Sequence, residues 1–246
     1  LIIAIVAAEL GKAVSKETKV DILVTPLVTI FAGVGLSMLI AAPIGAAASQ
    51  VGTLIMWATE QAPLVMGILV SVIVGVALTL PISSAAICAA LGLTGLAGGA
   101  AVAGCCAQMV GFAVMSYKEN GVGGLVSQGL GTSMLQMGNI IKNPRIWIAP
   151  TLASAITGPL ATCLFHFEMN GAAVSSGMGT CGLVGQIGVY TGWVSDIAAG
   201  TKAAITPMDW AAMVLLCFVL PAVLSVVFCA VERKLGWIKE GDLKLN

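Results

Sequence analysis

Long apolar runs dominate the chain, and several of them have the length of a membrane-crossing helix. Residues 61–117 contain no Asp, Glu, Lys, Arg or His, which makes an uncharged run of 57 residues. A helix needs about 20 residues to cross the hydrocarbon core of a bilayer. This run is therefore long enough for two crossings joined by a turn.

Less interrupted parts of this pattern predict individual membrane-spanning helices. Residues 85–116 are different, because Pro-Ile-Ser-Ser at 81–84 breaks the run and six glycines follow. We expect this part to be either a helix pair that turns near Gly98 and Gly99 or one long, bent helix. The last clear span contains Pro221, where a kink is expected. The four clear spans are residues 22–48, 63–80, 146–165 and 210–231.

Two further apolar segments, at 122–141 and after Glu168, are interrupted too often to be lipid-facing helices. A seven-residue pattern, S-x-G-x-G-T-small, occurs at 127–133 and again 48 residues later at 175–181. Irregular backbone at membrane depth is tolerated only where protein or a water-filled cavity surrounds it. Paired interruptions point to a transporter binding site at a repeat interface, although a glycine-rich chain can match by chance.

Composition strengthens the membrane assignment. Hydrophobic residues make up 59% of the chain and charged residues only 9%, with a mean hydropathy of +1.04. Soluble domains average about 25% charged residues. The formal net charge is zero, so no nucleic-acid surface is expected. The predicted fold is an all-α integral membrane protein, a polytopic helical bundle with bent helices and two re-entrant hairpin-like segments.

We predict one transmembrane domain over residues 1–246 that ends in a short charged tail at 232–246. Arg233 and Lys234 follow the last span, and basic residues favour the cytoplasmic side of a membrane. Lysines in the charged connection at 9–21 favour the same side, which leaves the number of passages open. The chain begins abruptly within an apolar run, so we expect earlier helices to be missing from it.

The strongest candidate chemistry stands at the end of the run 146–165, where His166, Glu168 and Asn170 form a polar triplet. A charged side chain near the bilayer centre costs about 2.5–3.5 kcal/mol on insertion scales, so the retention of Glu168 indicates a function. A carboxylate can accept hydrogen bonds from sugar hydroxyls or carry a proton. The only histidine can donate to a hydroxyl or phosphate, or titrate near neutral pH, and the amide can donate and accept. The alternatives are a surface turn and an interfacial histidine.

Uncharged polar side chains complete the predicted substrate site, which we place between residues 127–139 and 166–188. Such groups either join neighbouring helices by hydrogen bonds or line a hydrophilic path. No spacing among the seven cysteines suggests a metal site, and no nucleotide loop or nucleophile elbow occurs. We therefore predict no cofactor, no metal and no catalytic residue. The uncharged members of the predicted site are Thr132, Gln136, Asn139, Thr180 and Gln186.

Several of these segments together resemble a known family. They are NPRIWIAPTLASAITGPLAT, an acidic turn and GMGTCGLVGQIG, with GFAVMSYKENG and GLGTSMLQMGNIIKNP upstream. This arrangement resembles the membrane IIC component (EIIC) of bacterial sugar phosphotransferase systems. It is most similar to the second IIC branch, which is associated with PfoR-like (perfringolysin-regulator-like) proteins. The resemblance covers about residues 21–232.

The resemblance implies a multi-pass, all-helical permease of the bacterial cytoplasmic membrane that works as a homodimer. In glucose-type members, a Glu in a Gly-Ile-Thr-Glu motif binds the sugar, and a separate His assists phosphoryl transfer from the IIB partner. Glu168 occupies an analogous acidic turn, but it follows Phe-His-Phe, and this chain shows no IIB domain. Separate IIA and IIB proteins are the expected partners, so phosphorylation would need a IIB protein.

Two functions are consistent with these features. The first is transport of a sugar or related polar solute by an EIIC-like permease, with or without coupled phosphorylation. The alternative is a membrane-embedded, PfoR-like sensor that binds a ligand without transport. The sequence names neither the solute nor a coupling ion. The many polar groups in apolar segments weigh against a purely structural scaffold.

Overall fold

The computed structural model describes residues 2–15 and 21–245, and within these ranges the all-α prediction is confirmed. Their regular structure is helical apart from one isolated antiparallel bridge between Gly95 and Met169. Residues 16 and 19, two lysines of the predicted charged connection, lie outside the described ranges. The α-helices of the described residues are α1 (Ile2–Val14), α2 (Asp21–Gln61), α3 (Pro63–Thr79), α4 (Ser84–Leu91), α5 (Gly95–Met115), α6 (Tyr117–Val126), α7 (Met137–Lys142), α8 (Ile148–Pro159), α9 (Val184–Ala198), α10 (Pro207–Val214) and α11 (Leu220–Lys234).

Short 3₁₀ and π segments connect several of these helices. The π segment Leu215–Val219 lies just before Pro221, where the sequence predicts a kink. Proline has no N–H to bond the carbonyl of Cys217 four residues earlier, and a π turn is one way to accommodate such a break. The 3₁₀ segments are Ser133–Gln136, Pro144–Trp147, Ala173–Gly177 and Cys181–Leu183, and the π segments are Ser127–Gly131, Leu160–Leu164 and Leu215–Val219.

The described residues up to position 50 form one compact unit, which contains α1 and most of α2. The two helices approach closely where Gly11 faces Thr29, because a Cβ on Gly11 would overlap the Thr29 hydroxyl. Small residues allow such close approach in membrane proteins. The predicted span at 22–48 lies within α2, which continues to Gln61 with Pro26 and Pro43 inside it.

The described residues from position 51 onward form the second unit, and α5 is its centre. This helix packs against α3, α8 and α11, and 94% of its apolar span is buried. Small side chains make this packing possible. A Cβ on Gly104 would overlap the backbone of Ser71 in α3, and a Cβ on Gly111 would crowd the Ser225 hydroxyl in α11.

The segment 85–116 forms a helix pair, but its turn is at Gly92 and not near Gly98 and Gly99. Gly92 has a φ of 64° and ends α4 in the left-handed conformation that glycine adopts readily. The next helix, α5, begins three residues later. Gly98 and Gly99 are interior residues of α5, where they serve close packing instead of a turn.

Three helical stretches among the described residues are long and apolar enough to cross a membrane. They are Gly95–Met115, Pro144–Leu164 and Pro207–Lys234. Pro144–Leu164 covers the predicted span at 146–165 except for its last residue, and Pro207–Lys234 contains the predicted span at 210–231. Val24–Met38 and Pro63–Thr79 are shorter apolar helices, and the second of these corresponds to the predicted span at 63–80.

The two interrupted segments are irregular, as their sequences predict. Residues 127–142 pass from a π turn through a 3₁₀ turn into α7, and residues 166–183 are extended and then form two 3₁₀ turns before α9. The segments meet where the Thr180 hydroxyl donates a hydrogen bond to the carbonyl of Gly129. Their re-entry into a membrane stays a prediction.

Candidate functional site: a polar cavity beside α5

A cavity of about 490 Å³ opens where the extended residues after α8 face α9 and the connection from α9 to α10. We refer to it as the polar cavity. It brings together three of the predicted site residues, His166, Glu168 and Asn170. The other residues that line it are Phe165, Phe167, Trp193, Asp196, Thr201, Lys202, Met208, Asp209 and Ala212.

After His166, whose φ of 43° is left-handed, the segment that carries the triplet is extended, and polar and apolar positions alternate along it. His166 and Glu168 are exposed, whereas Phe167 and Met169 are buried. A period of two is the pattern of a strand with one buried face. Met169 forms the isolated bridge by exchanging two backbone hydrogen bonds of 3.0 Å with Gly95. The alternation therefore exposes the imidazole and the carboxylate while two apolar neighbours anchor the segment.

Glycines of α5 provide the surface on which this extended segment lies. A Cβ on Gly99 would overlap the carbonyl oxygen of Phe167, so only glycine fits at this crossing. A Cβ on Gly98 would lie 2.9 Å from the Ser176 hydroxyl and 3.2 Å from the carbonyl oxygen of Met169. These close backbone-to-backbone contacts hold the extended segment, which forms one wall of the cavity, against α5.

Asn170 joins two acidic side chains across the cavity. Its amide nitrogen donates to Glu168 Oε2 at 3.0 Å and to Asp196 Oδ2 at 2.9 Å. One amide nitrogen has two hydrogens, so this arrangement occupies both of them. Both carboxylates accept a hydrogen bond from the same amide nitrogen. Each keeps further acceptor positions for a ligand, since an ionised carboxylate has about four acceptor positions.

An ion pair and the indole ring of Trp193 line another part of the cavity. Lys202 Nζ lies 2.7 Å from Asp209 Oδ1 and 5.4 Å from the ring centre of Trp193. Trp193 in turn packs edge-on against Trp210, with ring centres 5.6 Å apart. Asp209 is fixed by the first turn of α10, where it forms a capping box with Thr206. These contacts hold the lysine over an aromatic surface.

The cavity combines hydrogen-bond acceptors, donors and an aromatic wall. Carboxylates and amides can accept and donate several directed hydrogen bonds, and an indole face offers apolar area with a polar edge. Ligand sites are concave and contain a few placed polar groups. The arrangement can therefore bind an uncharged, hydroxyl-rich solute of small size.

The structure places Gln136 and Asn139 elsewhere, against residues 237–245, which we refer to as the C-terminal segment. Gln136 Nε2 donates to the carbonyl of Leu243 at 3.0 Å, and Asn139 Nδ2 donates to that of Lys244 at 2.9 Å. Asn120 and Asn143 bind the same segment through Leu243, Leu245, Trp237 and Asp242. We refer to Asn120, Gln136, Asn139 and Asn143 as the amide cluster.

The remaining predicted site residues support the interrupted segments. Thr132 accepts a hydrogen bond from the backbone of Met134 and caps the following 3₁₀ turn. Thr180 bonds Gly129, as described above. Gln186 is buried and donates to Cys106 Sγ at 3.2 Å, while its side-chain oxygen has no hydrogen-bond partner among the described residues.

Sequence reasoning missed the half of the cavity that α9 and α10 contribute. Asp196, Lys202 and Asp209 fall in a segment that the hydrophobic pattern marks only as a polar connection between spans. The usable signal is that both signs of charge occur there, close to Trp193 and Trp210. The C-terminal segment was likewise predicted only as a charged tail at 232–246. The first residues of that predicted tail belong to α11, and farther along Ile238 and Leu243 are buried.

Comparison with known proteins supplies the family. A family model described as "Phosphotransferase system, EIIC" matches residues 1–245. No curated protein and no solved structure gives a match. The family match confirms the resemblance predicted from the sequence, and it assigns no role to individual residues.

Proposed function

We propose a function from one premise: the chain belongs to the EIIC family of the phosphotransferase system. Membership implies a permease-type function in sugar uptake, a membrane location and partners from the same system. The long apolar helices agree with a multi-pass membrane protein. On this basis we propose that the chain carries a free sugar or a related polar solute across the membrane, and that the polar cavity binds it.

The observation that carries this proposal is the pair of carboxylates held by Asn170. Glu168 and Asp196 come from different parts of the chain, yet both bind the same amide nitrogen within 3.0 Å. Both also face a cavity of about 490 Å³, which lies in the volume range of small-molecule sites. Neighbouring hydroxyls of a sugar can donate to the two carboxylates at once.

The other cavity residues have supporting roles in this proposal. Trp193 is a buried part of the cavity wall, and Lys202, whose Nζ lies 5.4 Å from the centre of the Trp193 ring, offers a donor at the rim of the cavity. His166 is exposed at the same opening and can donate to a hydroxyl. We assign Thr132, Gln136, Asn139, Thr180 and Gln186 to holding the interrupted segments in place, since their hydrogen bonds are to the protein.

Coupling to phosphorylation is the second part of the proposal. A separate IIB protein would supply the phosphoryl group, and the chain would present the bound sugar to it. A homodimer is the assembly that the family resemblance implies. Light scattering of the purified protein, corrected for bound detergent, would test that expectation.

Uptake into vesicles tests the transport proposal. The purified chain would be reconstituted in phospholipid vesicles and offered radiolabelled hexoses, hexitols, pentoses and N-acetylated hexosamines one at a time. We expect counterflow of at least one of them. Glu168→Gln keeps the shape of the side chain but removes its charge, and it should weaken binding of that solute about tenfold, since hydrogen bonds to charged groups are worth about 1.5–3 kcal/mol.

The control is Glu240→Gln, which neutralises an exposed acid of the C-terminal segment and should leave binding unchanged. Equal affinity in the wild type and in Glu168→Gln would refute the site. Binding of a solute without flux in either direction would instead support the alternative, a membrane sensor that does not transport.

A further inference from the structure

An apolar groove runs along α5 on the side of α6 and α11. It consists of two adjoining cavities that share Val114 in their walls. The first has a volume of about 130 Å³ and is lined by Val114, Met115, Lys118, Val226, Cys229, Ala230 and Arg233. The second has a volume of about 210 Å³ and is lined by Val110, Ala113, Val114, Leu125, Val126, Gly129, Leu130 and Phe218.

The shape of the groove is long and narrow. It runs from Val110 in α5 to Lys118, and the eight steps between these residues correspond to about 12 Å at 1.5 Å per residue. Apart from its charged end, its lining side chains are apolar. Val126, Val226 and Leu130 are exposed, so the groove is open along the surface of the helices. The part of an extended hydrocarbon chain nearest a headgroup fits this length.

One end of the groove is positively charged. Lys118 and Arg233 both line it there. Arg233 is paired with Glu119 at 2.8 Å, whereas the three ion pairs found among the described residues do not include Lys118. The end of the groove therefore offers one uncompensated cation and the outer face of a partly neutralised guanidinium.

The position of these cations matches the level of lipid headgroups. Lys118 follows the end of the apolar span Gly95–Met115, and Arg233 is the next-to-last residue of Pro207–Lys234. Basic residues directly after a span lie in the interfacial region. Basic pockets between membrane helices recognise anionic headgroups, and the apolar part of the groove begins immediately beneath them.

We propose that this groove binds an anionic phospholipid, with its phosphate at Lys118 and Arg233 and one acyl chain along Val114 towards Phe218. Charge complementarity selects the anionic headgroup, and the apolar lining selects the chain. A soluble anion would have no use for the apolar part, and an extended peptide would leave its backbone groups without partners against it.

The bound lipid would also support the meeting point of the two interrupted segments. Gly129 lines the inner part of the groove, and its carbonyl oxygen accepts the hydrogen bond from Thr180. An acyl chain packed against the π segment Ser127–Gly131 would hold it against the rest of the unit. The lipid is thus expected to raise the thermal stability of the protein.

The test uses the full chain in mild detergent micelles to which 1-palmitoyl-2-oleoyl phosphatidylglycerol or the matching phosphatidylcholine is added, without any sugar. Native mass spectrometry counts bound lipid, and thermal unfolding measures its effect. We expect one phosphatidylglycerol to be retained more strongly than phosphatidylcholine. Lys118→Gln should weaken that retention about fivefold, because a basic residue near an anionic lipid is worth about 1 kcal/mol.

Two further variants make the outcome decisive. Lys142→Gln removes a lysine at the end of α7 that lines a different cavity, and it should leave phosphatidylglycerol binding unchanged. Val114→Phe fills the point shared by the two cavities and should weaken both lipids. Equal binding of the two lipids by the wild type would overturn the proposal. Lipid retention by Lys118→Gln equal to that of the wild type would also overturn it. If Val114→Phe lost the dimer while lipid binding stayed unchanged, a second copy of the chain would be the occupant of the groove.

Discussion

The polar cavity and the amide cluster use the same kind of side chain in opposite ways. In the polar cavity, Asn170 holds two carboxylates whose remaining acceptor positions face open space. In the amide cluster, Gln136 and Asn139 donate to main-chain carbonyls of the C-terminal segment. The first arrangement leaves polar groups available to a ligand, whereas the second uses them to hold the protein together.

The difference teaches that a polar residue in an apolar run is not by itself a substrate contact. Buried polar groups need hydrogen-bond partners, and a nearby piece of backbone serves as well as a ligand. The amide cluster binds main-chain atoms of residues 237–245, so its role in the fold is to bind a peptide segment from the same chain. Among the described residues, no such segment fills the polar cavity.

The largest effect is expected where the cavity wall crosses α5. Gly99→Ala would place a Cβ on the Phe167 carbonyl oxygen, and the backbone must move to accommodate it. Overpacking of this kind costs about 1–3 kcal/mol, sometimes more. We expect a lower unfolding temperature in detergent and loss of solute binding to the polar cavity.

The matched control is Gly138→Ala in α7, beside the amide cluster, where a Cβ would meet no atom within 4 Å. It should be neutral or stabilising, since alanine is a better helix former than glycine. Equal stability of the two variants would mean that the extended segment does not depend on contact with α5.

A pair of asparagine substitutions tests the comparison directly. Asn170→Ala removes the amide between Glu168 and Asp196, so the two carboxylates lose their shared donor. We expect solute affinity, measured by calorimetry, to fall about tenfold or more, as for other hydrogen bonds to charged groups. Asn139→Ala removes an amide of the other region and should leave affinity unchanged. A similar loss in both variants would erase the distinction between the two regions.

The converse experiment follows the C-terminal segment. Asn120→Ala together with Asn139→Ala removes side-chain hydrogen bonds to Leu243, Lys244 and Leu245. Each such bond contributes about 1 kcal/mol, so the segment should detach more often. Trypsin cleavage after Lys239, followed by mass spectrometry, should become faster than in the wild type. Asn170→Ala is the control and should be cleaved at the wild-type rate.

The smallest effect is expected at the rim of the polar cavity. Lys202→Gln removes a partly exposed ion pair with Asp209 and a contact with the Trp193 ring. Such pairs contribute about 0.2–1 kcal/mol, and cation–π contacts at exposed sites about 0.5–1 kcal/mol. We expect a two- to fivefold loss of affinity with little change in unfolding temperature. An unchanged affinity would limit the binding surface to the side of Glu168 and Asp196.

The sequence by itself determined the all-helical class of this protein, its family and two of the three described stretches that are long and apolar enough to cross a membrane. Apolar runs of membrane length predict Pro144–Leu164 and Pro207–Lys234, because a helix in lipid must satisfy its own backbone hydrogen bonds. Patterns of this kind are set by residues that lie close together in the sequence. The same locality explains why the triplet at His166, Glu168 and Asn170 could be singled out from its position at the end of an apolar run.

Only the tertiary structure decided which polar groups stay open to a ligand. Asp196 and Lys202 join the cavity, and Gln136 and Asn139 leave it, because hydrogen-bond partners are chosen among groups distant in sequence. Asn170 reaches Asp196 across 26 residues, and Asn139 reaches Lys244 across 105. The role of Gly98 and Gly99 in α5 was likewise decided by residues distant in the sequence. The sequence suggested either a turn near Gly98 and Gly99 or one long, bent helix, whereas the fold turns at Gly92 and uses both glycines to bring the extended segment onto α5.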